Sequence, residues 1–429
     1  MKISSARLAA FEILYRIEND RAYSSALLPL YEENLSSLDR GLCHELVLGV
    51  LRKQIYLDKV IDRLSKDKKL DTAVRIALRL GAYQLMFLER VPAYSSINES
   101  VNLVQKARKT SAKGLVNAVL RRISEGVPKF EFADDVERIS VETSHPRWLI
   151  EKWIEDFGLT EAERIATANN DVPCVAFRVT RKGKGFKVPE LYERSEFVDG
   201  CMLTGKIDDG LRSAADAGEI YFQDEASQLV AQVAANAAGE RILDVCAAPG
   251  GKITQIAASV EDPKTVLFVA GDLHTTRVKR LSAACKNQGA ESVNVIQYDA
   301  EVPLPFADDS FDTVLLDAPC SGTGTIRHNP EIRYFLAGTD FPELSKKQLA
   351  ILRNASKLVQ QGGHLIYSTC SLQIEENEAV CRAFLDEAEK FQQVTPGVPD
   401  RFQTSDGFAR TFPARDNMDG FFIAEFRRI

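Results

Sequence analysis

Apolar residues in the first 125 positions recur at intervals of three and four. Leu8, Phe11, Ile13, Leu14 and Ile17 make one stripe. Leu42, Leu46, Val47, Val50, Leu51 and Leu57 make a second, and Ala73, Ile76, Ala77, Leu80, Tyr83 and Leu85 a third. This spacing keeps one helical face apolar, so residues 4–125 are predicted to be all helix. Pro92 breaks the run, Ser95, Ser96 and Asn98 offer caps for a restart, and a last helix from Ala112 to Ile123 ends near Gly126 and Pro128. Several short helices of this kind pack as a compact bundle.

From 131 to about 218 the pattern is mixed. His145-Pro146 opens a helix through Trp148, Trp153 and Phe157, and Val175 to Thr180 reads as a strand. From 219 onward short apolar runs alternate with helical stretches. Expected strands are Arg241–Val245, Val266–Ala270, Val293–Gln297, Thr313–Leu316, Gly363–Ser368 and Phe421–Phe426. Expected helices are Ala226–Ala235, Lys252–Ala258, Thr275–Asn287, Ser345–Gln360 and Ile374–Ala388. Such alternation implies an α/β domain with a doubly wound, mostly parallel sheet. Three domains follow: 1–130 all-helical, 131–218 a small α+β linker, and 219–429 α/β.

The net charge of -7 hides an asymmetry: residues 1–130 carry 22 Lys+Arg against 14 Asp+Glu, and the rest of the chain 32 against 47. A basic N-terminal segment on an acidic body fits an appended polyanion-binding module, although a solvated helix face would look the same. Its candidates are Lys106, Arg108, Lys109, Arg121 and Arg122. A second basic run follows the Val175 strand with Arg178, Arg181 and Lys182, and no acid occurs from Pro173 to Pro189. No run of about 18 apolar residues exists, so no membrane span is expected. The start of the chain lacks the apolar core of a secretory signal. The eight cysteines show no C-x-x-C pair, which argues against a zinc ribbon and a disulfide framework. Reduced thiols, a cytoplasmic location and no metal are expected.

Two cysteines stand apart. Cys320 closes Asp317-Ala318-Pro319-Cys320 after one expected strand, and Cys370 lies in Ser368-Thr369-Cys370-Ser371 after another. Ligands and chemistry gather at the carboxyl edge of an open parallel sheet. At that edge Cys246-Ala247-Ala248-Pro249-Gly250-Gly251-Lys252 follows the first strand and opens a helix. Small residues let a ligand approach the backbone, and a helix N-terminus offers free N–H groups. The loop is not a P-loop, since Cys246 occupies the required glycine position and Ile253 follows the lysine. Nor is it the G-x-G-x-x-G dinucleotide fingerprint. Acids follow three successive strands: Asp272, Asp299 and Asp317. A carboxylate at Asp272 can accept hydrogen bonds from two ribose hydroxyls, and one at Asp299 can take an exocyclic amino group.

Taken together, C-A-A-P-G-G-K, D-A-P-C and S-T-C-S resemble the RNA 5-methylcytosine methyltransferases. The resemblance is nearest to the bacterial ribosomal RNA small-subunit methyltransferase B (Sun/Fmu) group. It extends along the chain through Glu45–Arg52, Asn117–Arg122, His145–Trp148, Gln223–Ser227 and Asp419–Phe422. Ile253 stands where the group often has threonine, and Ile326–Glu331 varies its usual basic segment.

The resemblance implies a NusB-like RNA-binding bundle, a linker, and a Rossmann-like S-adenosylmethionine methyltransferase domain with a seven-stranded sheet. It implies methyl transfer from S-adenosylmethionine, leaving S-adenosylhomocysteine, to carbon 5 of a cytosine in 16S ribosomal RNA, the position-967 cytosine. The substrate would be naked RNA or a partly assembled small subunit, and the protein a monomer. Cys370 would be the nucleophile, Cys320 would serve product release, and Asp317 would bind the cytosine edge. Cys246–Lys252, Asp272, Arg277, Asp299 and Asp317 would hold the cofactor, with Arg327 and His328 on a substrate-facing loop. The reverse assignment, Cys320 as nucleophile, follows the D-P-C pattern of DNA enzymes. Transfer RNA as substrate and a non-enzymatic RNA-binding or antitermination role remain alternatives.

Overall fold

The computed structural model describes residues 3–429. The chain forms two compact units, Met1–Asp171 with Ile326–Leu336, and Val172–Thr325 with Ala337–Ile429.

The first unit is helical. Its first seven α-helices span Ser5–Asp20, Ser24–Glu32, Ser37–Arg52, Gln54–Ser65, Thr72–Phe87, Ala93–Lys106 and Lys113–Glu125. The predicted stripes converge on one core in which Ile13, Leu46, Leu57, Ala77, Leu80 and Leu120 are fully buried. Ser36 Oγ accepts from Asp39 N–H and an Asp71 oxygen from Ala73 N–H, starting two of these helices with side-chain caps. Three more helices, Asp135–Thr143, Arg147–Phe157 and Leu159–Ala168, follow within the unit.

The segment Ile326–Leu336, distant in sequence, belongs to this unit. The Glu331 carboxylate accepts from Ser24 N–H and Oγ–H at 2.6 and 3.1 Å. The fully buried Arg333 donates to the carbonyls of Thr143, Ser144 and Asn169. Arg327, expected on an RNA-facing loop, is only 3 % exposed, and its carbonyl accepts from Arg52. This corrects the placing of Arg327 on a substrate-facing loop: its backbone is tied into the bundle and its side chain is covered.

The second unit holds two sheets. The smaller is antiparallel, in the order β2-β3-β1-β4: β1 Val175–Val179, β2 Glu193–Arg194, β3 Cys201–Thr204 and β4 Ile220–Phe222. The larger contains β5 Arg241–Asp244, β6 Leu267–Asp272, β7 Val293–Gln297, β8 Phe311–Asp317, β9 Val359–Thr369, β10 Phe391–Val394, β11 Ala409–Arg410 and β12 Phe422–Arg428. Seven of these run in the order β10-β12-β9-β8-β5-β6-β7, and β11 hangs on β12. The strands from β9 to β7 pair in parallel, while β12 and β10 are antiparallel. The buried residues divide into two clusters on opposite faces of this sheet. One includes Ala226, Ile253 and Leu281 from three helices, and the other includes Leu352 and Phe384 from two more. A helix–sheet–helix sandwich results.

The chain runs outward from β5 through β6 to β7, then returns to place β8 on the other side of β5. That reversal puts the switch point between β5 and β8, where a crevice opens beyond the strand ends. Two expectations differ from the structure. The helix expected to reach Gln360 ends at Ser356, and β9 starts at Val359. Phe311 pairs with Val359 but Thr313 with His364, so β9 carries an irregularity that takes up the extra residues near Gly362. The helix expected over Ile374–Ala388 is a 3-10 turn, Ile374–Glu376, then a break at Asn377, then a helix over Glu378–Glu387.

Candidate functional site

Parallel register brings the two cysteines together. Asp317 pairs with Ser368 across β8 and β9, so Cys320 and Cys370 leave the sheet side by side. Their Sγ atoms are 3.3 Å apart. The Asp317 carboxylate accepts from Lys252 Nζ at 2.7 Å and from Ser368 Oγ at 2.8 Å, and Lys252 also lies 5.2 Å from the Phe421 ring centre. Burial opposes the Lys252 charge, but Asp317 outweighs it and holds the ammonium above its ordinary pKa. The contact with Cys370 and then burial push the Cys320 thiol well up. Burial also raises Cys43, Cys201, Cys246, Cys285 and Cys381, which fits packed, unreactive thiols.

A cavity of about 340 Å³ opens beside the pair, within the range of small-molecule sites. Cys246, Ala248, Asp272, Arg277, Asp299 and Asp317 line it together with Cys320 and Cys370. The other loop residues stand elsewhere: Ala247, Gly250 and Gly251 are buried, and Pro249 is exposed. Gly250 has φ +111°, and a Cβ there would come within 3.0 Å of Leu281 and 3.3 Å of Ala284. Asp272 is 4 % exposed, with Arg277 at 3.6 Å. Carboxylates after β6 and β7, around a cavity that ends at two thiols, suit a ligand carrying hydroxyl and amino groups at one end. The donor set therefore fits an adenosine-bearing methyl donor.

Several residues of the site take roles that the motifs alone do not assign. Tyr298 donates its hydroxyl to the Val245 carbonyl at 3.2 Å and covers Gly271, where a Cβ would meet its ring at 2.2 Å. Ser368 fixes the second Asp317 oxygen. Glu376, fully buried, accepts from Ser321 and Ser371, the residues that follow the two cysteines. Leu273, His274, Glu301, Lys347 and Ile351 also line the cavity.

The basic candidates separate. Lys106, Arg108, Lys109, Arg121, Arg122 and Lys182 are exposed, although Lys109 pairs with Asp71 at 2.7 Å. Arg181 donates to the carbonyls of Val260 and Glu261, and His328 is half-buried. Arg178 overturns its expected RNA role. It is 4 % exposed and donates to Gln223 at 3.0 Å, Gly251 O at 2.9 Å, Thr254 Oγ1 at 2.8 Å and Gln288 at 2.9 Å. Burial pushes its pKa down to about 10, so it stays charged near neutrality. Arg178 braces the first turn of the Gly251–Ser259 helix, behind the cofactor loop.

Family models match three stretches: 16S rRNA methyltransferase RsmB/F over 231–427, the NusB family over 4–125, and an RsmF/B-like ferredoxin-like domain over 145–184. The probable ribosomal RNA small subunit methyltransferase B of Bacillus subtilis is 34% identical, with 100% of both chains covered. The corresponding protein of Pseudomonas putida is 34% identical over 99% of this chain and 98% of its own. Among solved structures, PH0851 is 27% identical with a TM-score of 0.83 and covers 100% of both chains. NSun6 from Pyrococcus horikoshii, solved with SFG, shares the fold at 21% identity and TM-score 0.58, over 66% of this chain and 98% of its own. With relatives this similar over its whole length, the chain belongs to the ribosomal RNA small subunit methyltransferase B family.

Proposed function

We propose that the protein methylates carbon 5 of a cytosine in 16S ribosomal RNA, the position-967 cytosine, with S-adenosylmethionine as donor. The substrate is naked RNA or a partly assembled small subunit. The observation that carries this reading is the pair of thiols 3.3 Å apart beside the Lys252–Asp317 ion pair. A site for methylating an amine or a hydroxyl does not need two sulfurs.

Carbon 5 of cytosine is a poor nucleophile. Addition of the Cys370 thiolate to carbon 6 forms an S–C bond and moves an electron pair onto carbon 5, splitting one difficult step into easier ones. Asp317, held by Lys252 and Ser368, is the group to hydrogen-bond the cytosine amino and ring-nitrogen edge. S-adenosylmethionine, when bound, supplies the methyl group to carbon 5 and leaves as S-adenosylhomocysteine. Asp272, Arg277 and Asp299 hold the polar groups of its adenosine and amino-acid ends. Cys320 then serves the elimination. Its proton is held mainly by contact with the Cys370 sulfur, and that contact changes once Cys370 is bonded to carbon. Cys320 gives that proton to solvent, its thiolate takes the carbon-5 proton, the ring double bond returns, and Cys370 leaves as thiolate. The base must lie outside a stack for this attack, which unpaired RNA allows at low cost.

Incubation with labelled S-adenosylmethionine and separate 16S and transfer RNA fractions, followed by bisulfite mapping, tests the substrate. Label at a single 16S cytosine is expected. Label confined to transfer RNA would replace the ribosomal reading with the transfer RNA one.

A further inference from the structure

We propose that Glu376 is a positioning residue that holds the Cys320 loop in place for release of the methylated base. The inference rests on the reading of Cys320 as the release residue. Glu376 is 0% exposed, in the 3-10 turn before the Glu378–Glu387 helix. Its Oε1 accepts from Ser321 N–H at 2.8 Å and from Gln348 Nε2 at 3.0 Å. Its Oε2 accepts from the hydroxyls of Ser321 and Ser371. Gln348 also donates to Pro319 O at 3.0 Å. Both neighbours of Cys320 are therefore tied to one carboxylate, directly or through Gln348.

Cys370 has braces of its own. Its carbonyl accepts from Gly324 N–H at 2.9 Å, and Ser371 O accepts from Asn377 Nδ2 at 2.8 Å. Ser371 N–H donates to Thr369 Oγ1 at 3.2 Å, and Leu372 N–H to Thr323 Oγ1 at 2.9 Å. Loss of the Glu376 carboxylate removes two of the Cys320 loop's bonds and one from the Ser371 hydroxyl, and it frees Gln348, while these backbone ties around Cys370 remain. Attack should survive and elimination should suffer. Glutamine keeps the Oε1 acceptor, and the two serine hydroxyls can turn to accept from its amide, so Glu376→Gln should restore release.

The full chain is assayed with S-adenosylmethionine and a 16S RNA transcript, comparing a single turnover with steady state and reading covalent protein–RNA adduct on denaturing gels. In Glu376→Ala the first methyl transfer stays near the wild-type rate. Steady-state turnover falls about 10- to 100-fold, the scale of a misplaced reacting group. Adduct accumulates as in Cys320→Ala, and Glu376→Gln releases product. Wild-type turnover in Glu376→Ala, equal loss of both rates without adduct, or a Glu376→Gln as impaired as alanine overturns the proposal. Should Glu376→Ala melt early, Ser321→Ala decides, since it removes one hydroxyl tie: partial adduct supports the proposal and its absence overturns it. Normal release by Cys320→Ala would instead overturn the cysteine assignment, whatever Glu376 does.

Discussion

Asp244 ends β5 with 1 % exposure, next in sequence to Val245 of the cavity wall. Burial, then the nearby Asp317 charge, lifts its pKa to about 8. The folded protein therefore keeps a proton on Asp244 that the unfolded chain releases near pH 4. Stability from this group is fully present below that pH and is lost as pH rises toward 8, with a slope of about 1.4 kcal/mol per pH unit. Asn has nearly the same shape and no charge. Asp244→Asn should flatten that stretch of the stability–pH curve in denaturant unfolding, and an unchanged slope would contradict the assignment. The same low-dielectric setting is why Lys252 and Asp317 occur as a pair: either charge alone would be costly to bury.

At the scale of elements, the site depends on how strands and helix ends support one another. Arg178 on β1 joins the small sheet to the Gly251–Ser259 helix through Gly251 O and Thr254. Truncating it leaves buried acceptors unsatisfied, at about 1–3 kcal/mol each. Arg178→Ala should weaken S-adenosylmethionine binding in calorimetry and leave RNA affinity intact. Lys182→Ala, on the exposed loop that follows, should do the reverse. Equal loss of RNA affinity in both variants would restore Arg178 to the RNA surface.

Much of this arrangement was legible from pattern. The strands β5 to β8 follow from apolar runs that end on Asp or reach one within two residues, because parallel strands are buried on both faces and their carboxyl ends carry the ligands. Arg178 was misread because a basic run looks the same whether it is solvated or inserted into the next element. Alternation along β1 says that Arg178 and Phe177 point to opposite faces, but not that the Arg178 face is covered. Glu376 lay hidden for a similar reason. Glu375-Glu376-Asn377-Glu378 reads as an acidic helix start, and only the break at Asn377 turns Glu376 inward. Arg327 looks like a loop cation in sequence because nothing local records that Ile326–Leu336 packs with helices 190 to 307 residues earlier.

Over the whole molecule, charge is the remaining lever. The excess of Lys and Arg in residues 1–130 sits on an acidic remainder, and Lys106, Arg108, Arg121 and Arg122 are exposed. If these side chains contact RNA phosphates, affinity should fall linearly with the logarithm of salt concentration. Neutralising Lys106 and Arg121 should lower the slope by about 0.7 to 0.9 each. Lys109, already paired with Asp71, should contribute less. S-adenosylmethionine binding should not follow the same dependence. A slope unchanged by these substitutions would leave the basic excess as a solvated helix surface. No helix among the described residues is long and apolar enough to cross a membrane.

The proposed division of labour gives attack to Cys370 and release to Cys320, two sulfurs 3.3 Å apart. It is tested most directly by trapping the adduct: Cys320→Ala, Cys370→Ala and the double variant, each incubated with S-adenosylmethionine and 16S RNA and run on denaturing gels. A covalent protein–RNA band is expected in Cys320→Ala alone, with methyl transfer abolished in Cys370→Ala. A band in Cys370→Ala with none in Cys320→Ala, or full turnover by Cys370→Ala, would contradict it.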